Sequence, residues 1–160
     1  MTCIAGLVTD KGVAFMAADS AASDDRVTVL MGEPKVRDFE CVLVGYAGSI
    51  LAGRKMFTAI DALSEWNDIA AFVEAESQDK SYKGTAFMVI QSRKIYEIEE
   101  GTRIEHLRPY AAIGSGVEVA LGALFTKNNN LEAVLNAIDA AATFTPNVRH
   151  PAVVVQCRSL

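Results

Sequence analysis

The sequence predicts an α+β protein in which two stacked β-sheets are covered by layers of helix. Segments with strand character and segments with helical spacing come in blocks: strands, two helices, strands, two helices, a strand. Strict β-α-β alternation, the mark of a doubly wound parallel sheet, is missing, so helices and sheets are expected to pack as separate layers. The chain has 160 residues, 51% hydrophobic and 22% charged, with no linker and no repeat of about 20 to 50 residues. One domain over residues 1–160 is the expectation, with enough apolar mass for a sizeable core.

Each element has its own signal. Thr2 to Val8 is β-branched and apolar, Asp10-Lys11-Gly12 signals a turn, and Val13 to Ala18 is apolar again, which predicts a hairpin of buried strands. A strand over Arg26 to Leu30 follows. Gly32-Glu33-Pro34 then leads into Lys35-Val36-Arg37, and Glu40 to Tyr46 forms an apolar strand ending at Ala47-Gly48-Ser49. From Ile50 the apolar positions Leu51, Met56, Phe57, Ile60, Leu63 and Trp66 recur at helical spacing, with Ser49 as N-cap. A second helix is expected from about Asp68 to Glu76. Gly84 to Gln91 and Lys94 to Ile98 read as a hairpin around Ser92-Arg93, with Arg103 to Leu107 as an edge strand. Ala111 to Gly116 leads into a helix from Val117 to Thr126, which Asn128-Asn129-Asn130 breaks. Another helix runs from Leu131 to about Thr143, and Pro151 precedes a last strand, Ala152 to Arg158.

Composition excludes several function classes. The net charge of -5, from 15 Lys+Arg against 20 Asp+Glu without a basic run, offers no footprint for nucleic acid or an anionic membrane surface. The longest apolar stretch, Cys41 to Gly53, is interrupted by glycines and falls short of the ~20 residues of a membrane-spanning helix. Asp10 and Lys11 break the N-terminal stretch too early for a secretory signal. Cys3, Cys41 and Cys157 are odd in number, far apart and without Cys-x-x-Cys spacing, which argues against a disulfide framework and a zinc site. A cytoplasmic protein without metal or cofactor is expected.

His106 and His150 lie in neither a metal-ligand spacing nor a nucleophile motif, and Gly114-Ser115-Gly116 lacks the lysine of a phosphate loop. Thr2 is different. Removal of Met1, which a small second residue permits, would put a hydroxyl and a free α-amine on one residue, a nucleophile beside its own base. The amine, with a reference pKa near 8, can accept the hydroxyl proton, and a nearby permanent cation would hold more of it neutral. Lys35 is the candidate cation, and Asp19 the carboxylate that would hold it if buried. Spacing alone leaves ordinary readings open: a strand starter at Thr2, a turn former at Asp19, a solvated charge at Lys35, turn residues at Gly48 and Ser115.

The opening TCIAGLVTDKGVAFMAADS, the stretch EPKVR, the strand end LVGYAGS and the segment YAAIGSGVEVALGAL, in that order, resemble the proteasome β-subunit family, most closely its bacterial HslV-type member. The resemblance spans about Thr2 to Leu124 and continues more loosely over Leu131 to Thr143. It implies the N-terminal nucleophile hydrolase fold, a four-layer αββα sandwich of two antiparallel sheets, in agreement with the element order. It further implies a threonine peptidase in which Thr2 is the nucleophile, Asp19 and Lys35 tune it, Gly48 supplies an oxyanion N–H and Ser115 bonds the terminal amine. Ala22, Glu33, Tyr46 and Ile50 would line the substrate pocket. A homo-oligomeric ring or stacked rings and a peptide or protein substrate are implied as well, with room for an ATPase unfoldase partner and with the Ile50 to Trp66 and Val117 to Phe125 helices as candidate subunit contacts.

One departure stands out. Where the family carries an aspartate after the last long helix, this chain has Ala142-Thr143-Phe144-Thr145-Pro146, without a carboxylate. Either Thr143 or Thr145 takes its place, or activity is weak. Two other readings therefore stand beside the peptidase: a non-catalytic structural ring subunit of the same fold, and an N-terminal nucleophile amidase acting on a small amide.

Overall fold

Two apolar runs joined by a tight turn start the chain: β1 (Cys3–Val8) and β2 (Val13–Ala18) pair antiparallel, with Gly12 at a φ of 75° in the turn. The structure is a computed structural model describing residues 2–23, 28–65, 67–126 and 129–158. The following strands are β3 (Ala21–Ser23), β4 (Thr28–Leu30), β5 (Val36–Phe39) and β6 (Val42–Ala47). Helices α1 (Ile50–Asp61) and α2 (Ile69–Glu76) and a short 3-10 turn (Lys80–Tyr82) come next. Then follow β7 (Ala86–Gln91), β8 (Lys94–Glu99), β9 (Thr102–His106), β10 (Tyr110–Gly114), α3 (Val117–Thr126), α4 (Leu131–Phe144) and β11 (Val153–Arg158).

Among the described residues the strands form a four-stranded sheet in the order β10-β1-β2-β11, a five-stranded sheet in the order β5-β6-β7-β8-β9, and a β3-β4 ribbon. Every pairing is antiparallel. The layers follow from the two-residue alternation of strand side chains. Ile4, Met16 and Ala18 of the first sheet meet Leu43, Met88 and Ile90 of the second in a core between the sheets. The intervening Cys3, Ala5, Leu7 and Phe15 pack under α3 and α4. Val42, Val44 and Tyr46 pack under α1 and α2. Both faces of β1 and β6 are thus covered, which is why all six residues of each are buried and read as continuous apolar runs. This is the α+β, four-layer αββα arrangement that the sequence predicts.

Side-chain caps start the helices where expected. Ser49 accepts from Ala52 N at 3.3 Å, Asp68 from Ala71 N at 2.9 Å and Asn130 from Ala133 N at 3.1 Å. Helix α1, however, stops at Asp61. Leu63 continues the apolar period but packs against the α1–α2 core from beyond the helix end, so periodicity outran the helix. Trp66 lies outside the described residues. The expected strand from Arg26 is described only from Thr28, and its partner β3 has an Ala-Ala-Ser sequence without strand signal. Residues 110–114, read from sequence only as a lead-in to α3, form β10 beside β1.

Candidate active site

Antiparallel registers bring the singled-out residues to one end of the sandwich. Cys3 pairs with Gly114 and Ile4 with Ala18, so Thr2 stands beside the Gly114-Ser115 turn and close to Asp19. In the second sheet Val36 pairs with Gly45 and Tyr46 N donates to Lys35 O at 3.1 Å, which places Lys35 at the same end. Ala47 pairs with Ala86, which sets Gly48 next to Thr85. A Cβ built on Gly114 would lie 3.2 Å from Ala47 Cβ, so the two strand ends face each other across the gap.

Asp19 and Lys35 form a fully buried ion pair at 2.9 Å. The lysine ammonium also donates to Ala21 O. The carboxylate has further donors: Oδ1 accepts from Cys3 N at 3.0 Å, and Oδ2 from Ala21 N at 3.1 Å and Arg149 N at 3.4 Å. A buried pair with this many satisfied lone pairs can offset its desolvation cost. Burial pushes the Lys35 pKa below the ordinary lysine value, and the attraction of Asp19 pulls it back up. Through Asp19 Oδ1, the ammonium is linked to the backbone N–H of Cys3, the residue after Thr2.

Cys3 is the other nucleophilic side chain here, and its environment disarms it. Burial pushes its thiol up to about 12, Asp19 adding to the shift and Lys35 opposing it, so at neutral pH it is a protonated core residue packed under α3 and α4. Thr2 is only 4% exposed, and no described residue hydrogen-bonds its hydroxyl. Its carbonyl accepts from Ser115 N at 2.8 Å and from Ser115 Oγ at 3.3 Å. Gly114, at a φ of 94°, makes this approach possible, since a Cβ there would lie 2.1 Å from Thr2 O.

Gly48 ends β6 at a φ of 131°, where a Cβ would meet Gly84 O at 2.6 Å and Thr85 Cα at 2.8 Å. The buried Thr85 hydroxyl accepts from Ser49 N at 3.1 Å and steadies the turn. No described group accepts from the Gly48 N–H. Thr2, Gly48, Gly114 and Ser115 share a cavity of about 520 Å³. Its other walls include Glu97, Glu99, His106 and Leu121. Five candidates from the sequence thus fall at one end of the fold: Thr2, Gly48 and Ser115 on the cavity, Asp19 and Lys35 buried nearby.

The four residues expected to line the substrate pocket are not among the cavity's walls. Tyr46 is buried in the core under α1, its ring 5.4 Å from that of Phe57. Glu33 is exposed and pairs with Arg54. Ala22 lies half-buried in the β3–β4 ribbon, and Ile50 half-buried at the start of α1. Of the two residues that could take the place of the missing aspartate, Thr143 is exposed, its hydroxyl donating to Asp139 O at 2.8 Å in its own helix, and Thr145 is half-buried at the end of α4. Met1 lies outside the described residues. Sequence reasoning missed Thr85 and the backbone of Arg149, because a single hydroxyl and a main-chain N–H carry no motif. It also set His106 aside as an ordinary residue, whereas His106 lines the cavity and pairs with Glu97 at 3.0 Å.

No protein-family model and no curated protein matches the sequence. Solved structures do match in fold. BPH from Thiobacillus denitrificans, in complex with epoxomicin, superimposes with a TM-score of 0.80 at 16% identity, covering 99% of each chain. A second structure of BPH from Thiobacillus denitrificans gives 0.80 at 16% identity over 99% of this chain and 98% of the other. Eukaryotic HslV from Trypanosoma brucei gives 0.80 at 18% identity over 96% of this chain and 98% of that one. The fold is therefore the one that BPH and HslV share, the four-layer αββα sandwich that the resemblance implied.

Proposed function

We propose that the chain is a threonine-type peptidase of the HslV and proteasome kind. The carrying observation is the fully buried Asp19–Lys35 pair, hydrogen-bonded to the backbone directly behind Thr2 at the mouth of a cavity that Gly48 and Ser115 share. Removal of Met1 frees the Thr2 amine. The amine takes the proton of the Thr2 hydroxyl, whose oxygen attacks the peptide carbonyl, and the Gly48 N–H receives the developing oxyanion. The ammonium returns its proton to the departing amine as the C–N bond breaks, leaving an ester on Thr2. Water, activated by the same amine, then hydrolyses the ester. The Lys35 charge keeps the amine neutral enough to act as base, and Ser115 positions the residue through its carbonyl. That BPH is found with epoxomicin on the same fold supports this reading.

The test is intact mass and epoxyketone labelling of the wild type and Thr2→Ala. Loss of Met1 with one adduct, present only when Thr2 is present, is the expected result. Retained Met1 without an adduct would instead favour the structural-subunit reading, which the exposed Thr143 also supports.

A ring assembly in the cytoplasm, served by a separate unfoldase, belongs to the same proposal. Leu51 on α1 and Phe125 on α3 are 79% and 72% exposed, the apolar surface that ring contacts would cover. Light scattering at micromolar concentration is expected to show a closed oligomer, and a monomer would remove the ring. No helix among the described residues is long and apolar enough to cross a membrane.

A further inference from the structure

Strand alternation sorts the charges of the β8–β9 hairpin onto two faces. Ile95 points into the core between the sheets, so Glu97 and Glu99 share its face. The register adds His106 opposite Ile95, Ile104 opposite Glu97 and Thr102 opposite Glu99. The hairpin's cations lie on the other face, where each already has a carboxylate: Lys94 pairs with Glu105 at 3.1 Å and Arg103 with Glu74 at 3.2 Å. The first sheet ends at β10, which lies over β7 and β8. Past that edge the inner face of the hairpin is uncovered and becomes a wall of the cavity that holds Thr2.

That wall is acidic. Glu97 is one-third exposed and bonds His106, while no cation among the described residues pairs with Glu99. Among the described residues no lysine or arginine lines the cavity. A second groove of about 400 Å³ shares Glu97 and Glu99 and adds Glu100, Thr102 and Ile104, extending the acidic surface away from Thr2. Carboxylates alone would be an ordinary solvated face. Here they line a formed cavity with Thr2, a 96% buried residue whose hydroxyl no described residue engages.

We infer that this cavity selects peptides with a lysine or arginine side chain flanking the scissile bond, Glu99 receiving the cation and Glu97 with His106 flanking it. The inference rests on the peptidase reading and adds its substrate class. The apolar stem of a long basic side chain can lie along Leu121 while its head reaches the carboxylates. An acidic side chain in the same place would meet like charge, so repulsion of the wrong peptide adds to attraction of the right one.

The experiment compares Met1-free wild type, Glu99→Gln and Glu99→Lys on peptides that differ only in carrying Lys, Gln or Glu at each position flanking the cleaved bond. The expected result is kcat/KM about tenfold higher for Lys than for Glu at one position, a difference of about 1.4 kcal/mol. The ratio falls towards one in Glu99→Gln and inverts in Glu99→Lys. Equal cleavage of Lys and Glu peptides by the wild type, or a preference unchanged in Glu99→Lys, overturns the inference and leaves the nucleophile reading standing. Binding of the same fluorescent peptides to Thr2→Ala reads the charge preference without turnover. A Lys preference in binding with no cleavage by the wild type sustains the charge selection and sinks the peptidase reading instead. Indifference to charge in binding overturns the inference whatever the turnover.

Discussion

Lys35→Met is expected to lower the folding stability by about 3–5 kcal/mol, seen as a lower midpoint in a urea titration at unchanged slope. Methionine keeps much of the apolar stem and removes only the ammonium, so the loss reports the charge. Asp19 would then keep three backbone donors, Cys3 N, Ala21 N and Arg149 N, but no cation, in a site with no solvent exposure. An uncompensated buried carboxylate is the costly arrangement, whereas replacing both partners is often close to neutral. The double variant Asp19→Asn, Lys35→Met is therefore expected to recover much of the loss, a coupling that a double-mutant cycle reads directly. A loss below about 1 kcal/mol for Lys35→Met would mean that water reaches the pair as it does at surface bridges. The stability loss is expected whether the chain is a peptidase or a structural subunit. Loss of epoxyketone labelling in the fraction that remains folded is expected only for the peptidase.

Spacing alone offers Asp19 and Lys35 as a pair without deciding for it, and the family resemblance supplies the rest. Each directly adjoins a strand, and the antiparallel registers of the structure bring these strand ends to one end of the fold. Helices were legible where a capping side chain and an apolar stripe coincide, as at Ser49. They were misjudged where the stripe outlasts the helix, as at Leu63. Of the β3–β4 ribbon, β4 lies within the strand expected over Arg26 to Leu30, whereas β3 escaped because its run is alanine and serine, whose strand pairing follows the turn after Asp19 rather than propensity. The pocket was the least legible part. Its acidic wall comes from the exposed inner face of an edge hairpin, and whether such a face is covered depends on where the opposite sheet stops. Tyr46 illustrates the converse: it directly precedes Ala47 and Gly48, yet alternation turns its side chain away from the cavity and under α1.

Gly48→Ala is the second large effect, and it separates geometry from stability. At a φ of 131° an L side chain is strained, and the new Cβ would lie 2.6 Å from Gly84 O and 2.8 Å from Thr85 Cα, both backbone atoms with little room to yield. The turn must therefore shift. The shift cannot be absorbed locally, because Ser49 N is held by the Thr85 hydroxyl while Ser49 caps α1. On the peptidase reading, the N–H at position 48 is then carried away from where the oxyanion would form. Loss of one such donor costs about 2.7–4 kcal/mol in the transition state, so the rate of Thr2 acylation is expected to fall roughly 10²–10³-fold. Circular dichroism and a thermal melt show what fraction of the variant is folded, and the labelling rate is compared on that fraction. A folded variant labelled within about threefold of the wild type would mean that the Gly48 N–H does not meet the developing charge. The oxyanion donor would then have to be sought among the other backbone groups on the cavity, beginning with the Gly114-Ser115 turn that already holds Thr2.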